Sequence, residues 1–124
     1  MTSTQTQRIF KKNNQYSING SLWIECNGSR YFGPGPVELL TLIDETGSIR
    51  QAALQMGMSY KKASELVSTI NDNSISPMVI PHTGGNNGGG SVITPEAKKM
   101  IAFYVKLRAK FLRFLETESK NLNL

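Results

Sequence analysis

Ser48-Ile49-Arg50-Gln51-Ala52-Ala53-Leu54-Gln55-Met56-Gly57-Met58-Ser59-Tyr60-Lys61-Lys62-Ala63 holds two helix starts and one helix stop. A serine followed three residues later by glutamine is a capping box, in which the Ser48 hydroxyl accepts from the backbone N–H of position 51 and the Gln51 side chain reaches back to the cap. A helix starts there, runs through Ala52, Ala53 and Met56, and stops at Gly57, which can take a left-handed conformation. Ser59 caps a second helix whose buried face is Ala63, Leu66, Val67 and Ile70. Ala53 and Gly57 sit four residues apart, so a small side chain lets the second helix pass close while glycine makes the turn. Two short helices around a tight glycine turn predict a helix-turn-helix over 48–71. The competing reading is an ordinary corner between two helices of a core.

On the N-terminal side, Ser21-Leu22-Trp23-Ile24-Glu25-Cys26 and Ser29-Arg30-Tyr31-Phe32 flank Asn27-Gly28, the strongest short-range signal for a two-residue hairpin turn. This predicts a β-hairpin over 15–33. Gly33-Pro34-Gly35-Pro36 is expected to stop its second strand, because proline lacks the ladder donor. Val37, Leu40 and Ile43 then share one face of a short helix that Gly47 breaks. Residues 1–14 are polar and expected to be frayed. They show no secretory signal, and no apolar run approaches membrane-spanning length, so a cytoplasmic protein is expected. Cys26 is the single cysteine, which excludes an intramolecular disulfide and a two-cysteine metal site.

On the C-terminal side, Met78-Val79-Ile80 and Ser91-Val92-Ile93 are β-branched runs on either side of Gly84-Gly85-Asn86-Asn87-Gly88-Gly89-Gly90. A phosphate loop is excluded, because Gly90 stands where the lysine is needed and a strand follows in place of a helix. A hairpin over 77–94 with its mobile tip at 84–90, beside a helix-turn-helix, has the position of a wing, whose glycines let backbone N–H groups approach a sugar-phosphate surface. Thr94-Pro95-Glu96 opens a last helix, with threonine as cap and proline at the first position, expected to reach about residue 118. Met100, Tyr104, Leu107, Phe111 and Phe114 recur along it at spacings of 4, 3, 4 and 3, broadened by Ile101, Leu112 and Leu115. A homodimer through that stripe is expected; the alternative folds the helix wholly onto its own core. The fold class expected is α+β, mainly α: one winged helix-turn-helix domain over 15–124 with an N-terminal hairpin and a long C-terminal helix.

The 124 residues carry a net charge of +5, which splits as 4 − 4 = 0 over 1–46, 3 − 2 = +1 over 47–93 and 7 − 3 = +4 over 94–124. A polyanionic partner is compatible with this, but the pI alone does not argue for one. His82, the single histidine, has no Asp, Glu or Cys nearby in sequence and reads as a polar residue of the wing strand. Asp44 and Glu45 are adjacent and project differently, so they read as solvated surface and not as an acid/base pair. Trp23 reads as a packing anchor. No nucleophile, base and orienting group can be assembled, so an enzyme ranks last and no cofactor or metal is expected.

Gly47-Ser48-Ile49-Arg50-Gln51-Ala52-Ala53, Gly57-Met58-Ser59-Tyr60-Lys61-Lys62-Ala63 and the stretch from Thr83-Gly84-Gly85 to Thr94 together resemble the N-terminal DNA-binding domain of the ModE family of molybdate-responsive regulators. The block also resembles, more distantly, the LysR-type winged helix-turn-helix. The resemblance covers about residues 20–115. It implies a dimer on double-stranded operator DNA, with 59–71 as recognition helix, 83–91 as wing tip, and an inverted repeat as the favoured site. The DNA-facing residues expected on this reading are Ser48, Arg50, Gln51, Ser59, Tyr60, Lys61, Lys62, Ser64, Thr83, Gly84, Gly85, Asn86 and Asn87. Asn86 and Asn87 stand where the family's wing usually carries a lysine. The sequence stops at Leu124, ahead of the molybdate-binding domains of full-length members, so direct molybdate binding is not expected. A protein-interaction module with the same fold is the alternative, kept open by the near-neutral charge of residues 1–93.

Overall fold

Asn27 and Gly28 both hold positive φ, 52° and 82°, in the computed structural model, which describes residues 9–82 and 90–122. Positive φ at both central residues matches the twist of paired strands. The turn joins β1 (Ile24–Cys26) to β2 (Ser29–Phe32), with Cys26 opposite Ser29 and a bulge between Ile24 and Glu25. Phe32 ends the hairpin fully buried.

The second strand stops at Phe32, as the Gly33–Pro36 stretch predicts, and the helix that follows, α1 (Pro34–Thr46), begins at the first proline. The first-turn N–H groups of a helix have no intrahelical acceptor, so proline forfeits nothing there. Val37 already donates to the Gly33 carbonyl at 3.0 Å. Gly33 itself is extended, and a Cβ there would come within 2.5 Å of the Trp23 indole, so the ring packs directly on backbone. Leu39, Leu40 and Ile43 are fully buried along the inner face of α1, and Gly47 closes it in the left-handed region, donating to Ile43 O at 2.7 Å.

Next come α2 (Ile49–Met56) and α3 (Tyr60–Asp72). The Ser48 hydroxyl accepts from Gln51 N at 3.1 Å as the capping box requires, but the reciprocal half is replaced. The Ser48 N–H donates instead to Thr46 Oγ1, at the end of α1, at 3.2 Å. Gly57 turns the chain at φ 69°, and Met58 donates to Ala53 O at 3.0 Å. Ala52, Ala53 and Ala63 are buried, so small side chains line the approach of the two helices.

The second hairpin pairs β3 (Val79–His82) antiparallel with β4 (Gly90–Ile93), Val79 opposite Ile93 and His82 opposite Gly90. Thr94 then caps α4 (Pro95–Leu122), accepting from Ala97 N at 3.3 Å. The helix runs past the expected end near residue 118, and the Lys120–Glu116 pair lies in its last turns at 3.5 Å. Among the described residues the molecule is therefore mixed α/β and mainly helical, with four helices and two small antiparallel sheets.

The chain divides into two compact units, Trp23–Tyr104 and the described parts of Met1–Leu22 with Val105–Leu124. In the first, Phe32, Leu39, Leu40, Ile43, Ile70 and Tyr104 are the largest fully buried side chains, and Phe32 meets Tyr104 edge-on at 5.9 Å. Burial of each contributes roughly 1.5–3 kcal/mol. In the second, Ile18 N donates to Ser119 Oγ at 2.8 Å and Phe111 lies against Gly20. Phe10 stacks on Tyr16 at 4.2 Å, and the Tyr16 hydroxyl accepts from Lys11 N at 3.1 Å.

Candidate nucleic-acid interface

Ser59 starts α3 by accepting from Lys62 N at 3.1 Å, so the first turn is formed around that hydroxyl. Helical periodicity then separates two faces. Ala63, Val67 and Ile70 are buried, while Lys61, Lys62, Glu65, Ser68, Thr69 and Asp72 are exposed and Ser64 is half-buried. The solvent face of α3 is thus polar along its length, with its two lysines at the N-terminal end.

Tyr60, the first residue of α3, is 40% exposed and carries the Arg50 guanidinium over its ring at 4.3 Å from the centroid. Arg50 comes from the first turn of α2, so the stack connects the two helices across the Gly57 turn. Gln51 is exposed beside it and Ser48 half-buried. Both cap hydroxyls, of Ser48 and Ser59, accept from their own helix and keep a proton to donate outward. No carboxylate lies within ion-pair distance of Arg50, Lys61 or Lys62 among the described residues. Their charge is available to an outside anion.

The second hairpin reaches this site through its base. Ser91 N donates to Gly47 O at 2.9 Å, at the turn that opens α2. A Cβ at Gly90 would stand 2.5 Å from that same oxygen, so only glycine lets β4 pass there. Asn71, at the far end of α3, holds the other strand: its Oδ1 accepts from Met78 N at 2.9 Å and Val79 N at 3.1 Å, and its Nδ2 donates to Val79 O at 3.0 Å. Thr83, Gly84, Gly85, Asn86 and Asn87, expected at the tip, lie outside the described residues. His82 is exposed at the tip end of β3.

Of the stripe on α4, Met100, Leu107 and Phe111 are half-buried, Tyr104 is buried at 1% exposure, and Phe114 is exposed at 58%. Phe103, Val105 and Leu112 are exposed apolar residues of the same helix. No helix among the described residues is long and apolar enough to cross a membrane, and no three His, Cys, Asp or Glu side chains are grouped to hold a metal ion.

The chain is 41% identical over 101 residues to the molybdenum-pterin-binding protein MopB of Rhodobacter capsulatus, a match covering 82% of the chain and 37% of that protein. It is 33% identical over 87 residues to the molybdenum transport protein ModE of Azotobacter vinelandii, covering 70% and 32%. With the DNA-binding transcriptional dual regulator ModE of Escherichia coli (strain K12) the identity is 38% over 83 residues, covering 67% and 32%. The chain is a homologue of the ModE and Mop proteins. It spans about a third of the length of each of these relatives. No family model matches it.

Two further residues, Asn71 and Gly90, also shape the site. Their partners, Met78 with Val79 and Gly47, are distant in sequence, and no local pattern announces either contact. Arg50 and Tyr60 were both expected at the site, but not in contact with each other.

Proposed function

We propose that the chain is a sequence-specific, DNA-binding transcriptional regulator of the ModE type, a winged helix-turn-helix acting in the cytoplasm as a homodimer on an inverted-repeat site. The observation that carries this reading is the N-terminal end of α3. Lys61 and Lys62 are exposed there and the Arg50–Tyr60 stack adjoins them, with no carboxylate within ion-pair distance of the three cations among the described residues. Side chains at that end of the second helix are the ones that reach base edges and phosphates when such a helix enters the major groove. Ser48, Gln51, Ser59 and Ser64 supply hydroxyl and amide partners for phosphates and bases at its rim. The β3–β4 hairpin has the place of a wing, with Thr83, Gly84, Gly85, Asn86 and Asn87 at its tip.

The dimer is proposed through α4, with Phe114 and half-buried Met100, Leu107 and Phe111 of the stripe nearest the partner, while Tyr104 of the same stripe packs inward against Phe32. The relative named a DNA-binding regulator supports the DNA partner. Those named for molybdenum-pterin binding are matched over only part of their length. Molybdate is therefore tested separately, and the proposal expects it to leave the unfolding midpoint of the chain unchanged.

Titration of the chain against duplexes selected from a random library, at several salt concentrations, tests the assignment. Lys61→Ala with Lys62→Ala should abolish specific binding and flatten the salt dependence of log K by about 2, since each phosphate contact contributes a slope near −0.9. The thermal midpoint should stay close to the parent's, because both side chains face solvent. Unaltered binding by the double variant would remove α3 as the recognition helix. A parent that binds no duplex at low salt would leave a protein-interaction module as the better reading.

A further inference from the structure

We propose that Tyr60 is a positioning residue for Arg50, and that the stacked Arg50 fork reads one guanine of the operator; this rests on the DNA-binding reading above and assigns a division of labour within it. Arg50 is the only arginine between Ser48 and Asn71. Its guanidinium lies over the Tyr60 ring at 4.3 Å. A guanidinium is planar and carries its five N–H donors in that plane, so a ring beneath it occupies the face and leaves the fork free. The fork matches the O6 and N7 acceptors on the major-groove edge of guanine, whereas the ammonium groups of Lys61 and Lys62 are point charges better suited to phosphate.

The surroundings favour recognition over a structural brace. Arg50 meets no carboxylate within ion-pair distance among the described residues, and both members of the stack are exposed. A long side chain on a helix surface ordinarily samples many rotamers and must be frozen on binding. The ring restricts Arg50 in the free protein, which is preorganisation of the kind that favours affinity and a single register. Because Tyr60 opens α3 and Arg50 lies in the first turn of α2, the stack also sets the fork relative to the helix that carries the lysines.

The test uses the full chain and its preferred duplex, selected from a random library, together with duplexes changed at single base pairs. Arg50→Ala should reduce the preference for one guanine by about 5- to 150-fold while leaving preferences at other positions in place. Arg50→Lys should lose the same preference yet keep the parental salt slope. Tyr60→Leu should weaken that same preference, Tyr60→Phe should retain it, and the Arg50→Ala/Tyr60→Leu double variant should be no worse than Arg50→Ala alone. Thermal unfolding of each variant checks that it is folded. Unchanged base preferences in Arg50→Ala, or a Tyr60→Leu variant that loses affinity evenly for every duplex, would overturn the pair while leaving DNA binding intact. A parent that selects no duplex would overturn both readings together.

Discussion

Three glycines of this chain do different work, and each substitution should report it. Gly90 lies where β4 crosses the α1–α2 turn, and an added Cβ would press on the Gly47 carbonyl at 2.5 Å, an atom fixed in backbone. Gly90→Ala should therefore destabilise the protein by about 1–3 kcal/mol, the cost of forcing a methyl into a closed contact. Gly57 has open space around it but φ of 69°, so its alanine variant carries a conformational cost of about 1–2 kcal/mol. Gly35, in the first turn of α1, has no close neighbour beyond the adjoining residues and no positive φ, but Pro36 follows it. Gly35→Ala should lower stability modestly, because a Cβ on a helical residue before proline meets the proline ring. Urea unfolding of the three variants gives the comparison, and a Gly90→Ala midpoint equal to the parent's would show that β4 can move away from the turn.

At the scale of the element, the second hairpin is held at both of its strands. Ser91 fastens β4 to the start of α2, and the Asn71 side chain fastens β3 to the end of α3 with three hydrogen bonds, two accepted and one donated. Thr94 adds a hydroxyl bond to Pro77 O at 3.0 Å as it caps α4. Removing the Asn71 amide leaves two backbone donors and one acceptor without it. At about 0.5–1.5 kcal/mol for each of the three bonds, Asn71→Ala should cost about 1.5–4.5 kcal/mol. Hydrogen exchange at the Met78 and Val79 amides should quicken more than at the interior of α1. If the exchange of those two amides is unchanged, other contacts hold the strand and the clamp is redundant. Asn71→Asp should fall between parent and alanine, because a carboxylate accepts the two N–H groups but cannot donate to Val79 O.

At the scale of the whole molecule, most of the net charge and four exposed apolar side chains, Phe103, Val105, Leu112 and Phe114, lie on the last helix. Residues 94–124 hold 7 − 3 = +4 of the net charge of +5. Val105, Leu112 and Phe114 are exposed at 54%, 41% and 58%, while Tyr104 turns inward. On the proposed dimer, Phe114 with half-buried Leu107 and Phe111, which share one face of the helix, would be removed from water at the partner, whereas Val105 and Leu112 lie toward the opposite side. Leu107→Asp with Phe114→Asp should convert the protein to a monomer at micromolar concentration with its helix content kept, since Leu107 is only half-buried and Phe114 is exposed in its own chain. Sedimentation equilibrium reads this directly. A parent that is already monomeric, or a double variant that stays dimeric, would place the interface on another element. Operator half-sites spaced by one turn of DNA, about 34 Å, or a multiple of it follow from the dimer reading.

Local chemistry was enough to write most of the elements into the sequence. Asn27-Gly28 specified the first turn, Ser48, Ser59 and Thr94 the helix starts, Gly47 and Gly57 the stops, and the spacing of Ala63, Val67 and Ile70 the inner face of α3. Each of these rests on partners within four residues, where chain geometry leaves few choices. One expectation was half met: the Ser48 N–H of the capping box donates to Thr46 Oγ1, two residues back, in place of Gln51. What partners within a few residues could not supply was the contacts between elements. The candidate site divides along the same line. Its lysines were legible as exposed positions of a helix. The Arg50–Tyr60 stack, the Asn71 clamp and the Gly90–Gly47 approach join side chains and backbone that meet only after α2, α3 and the hairpin have packed, because those distances belong to the core and not to any stretch of chain.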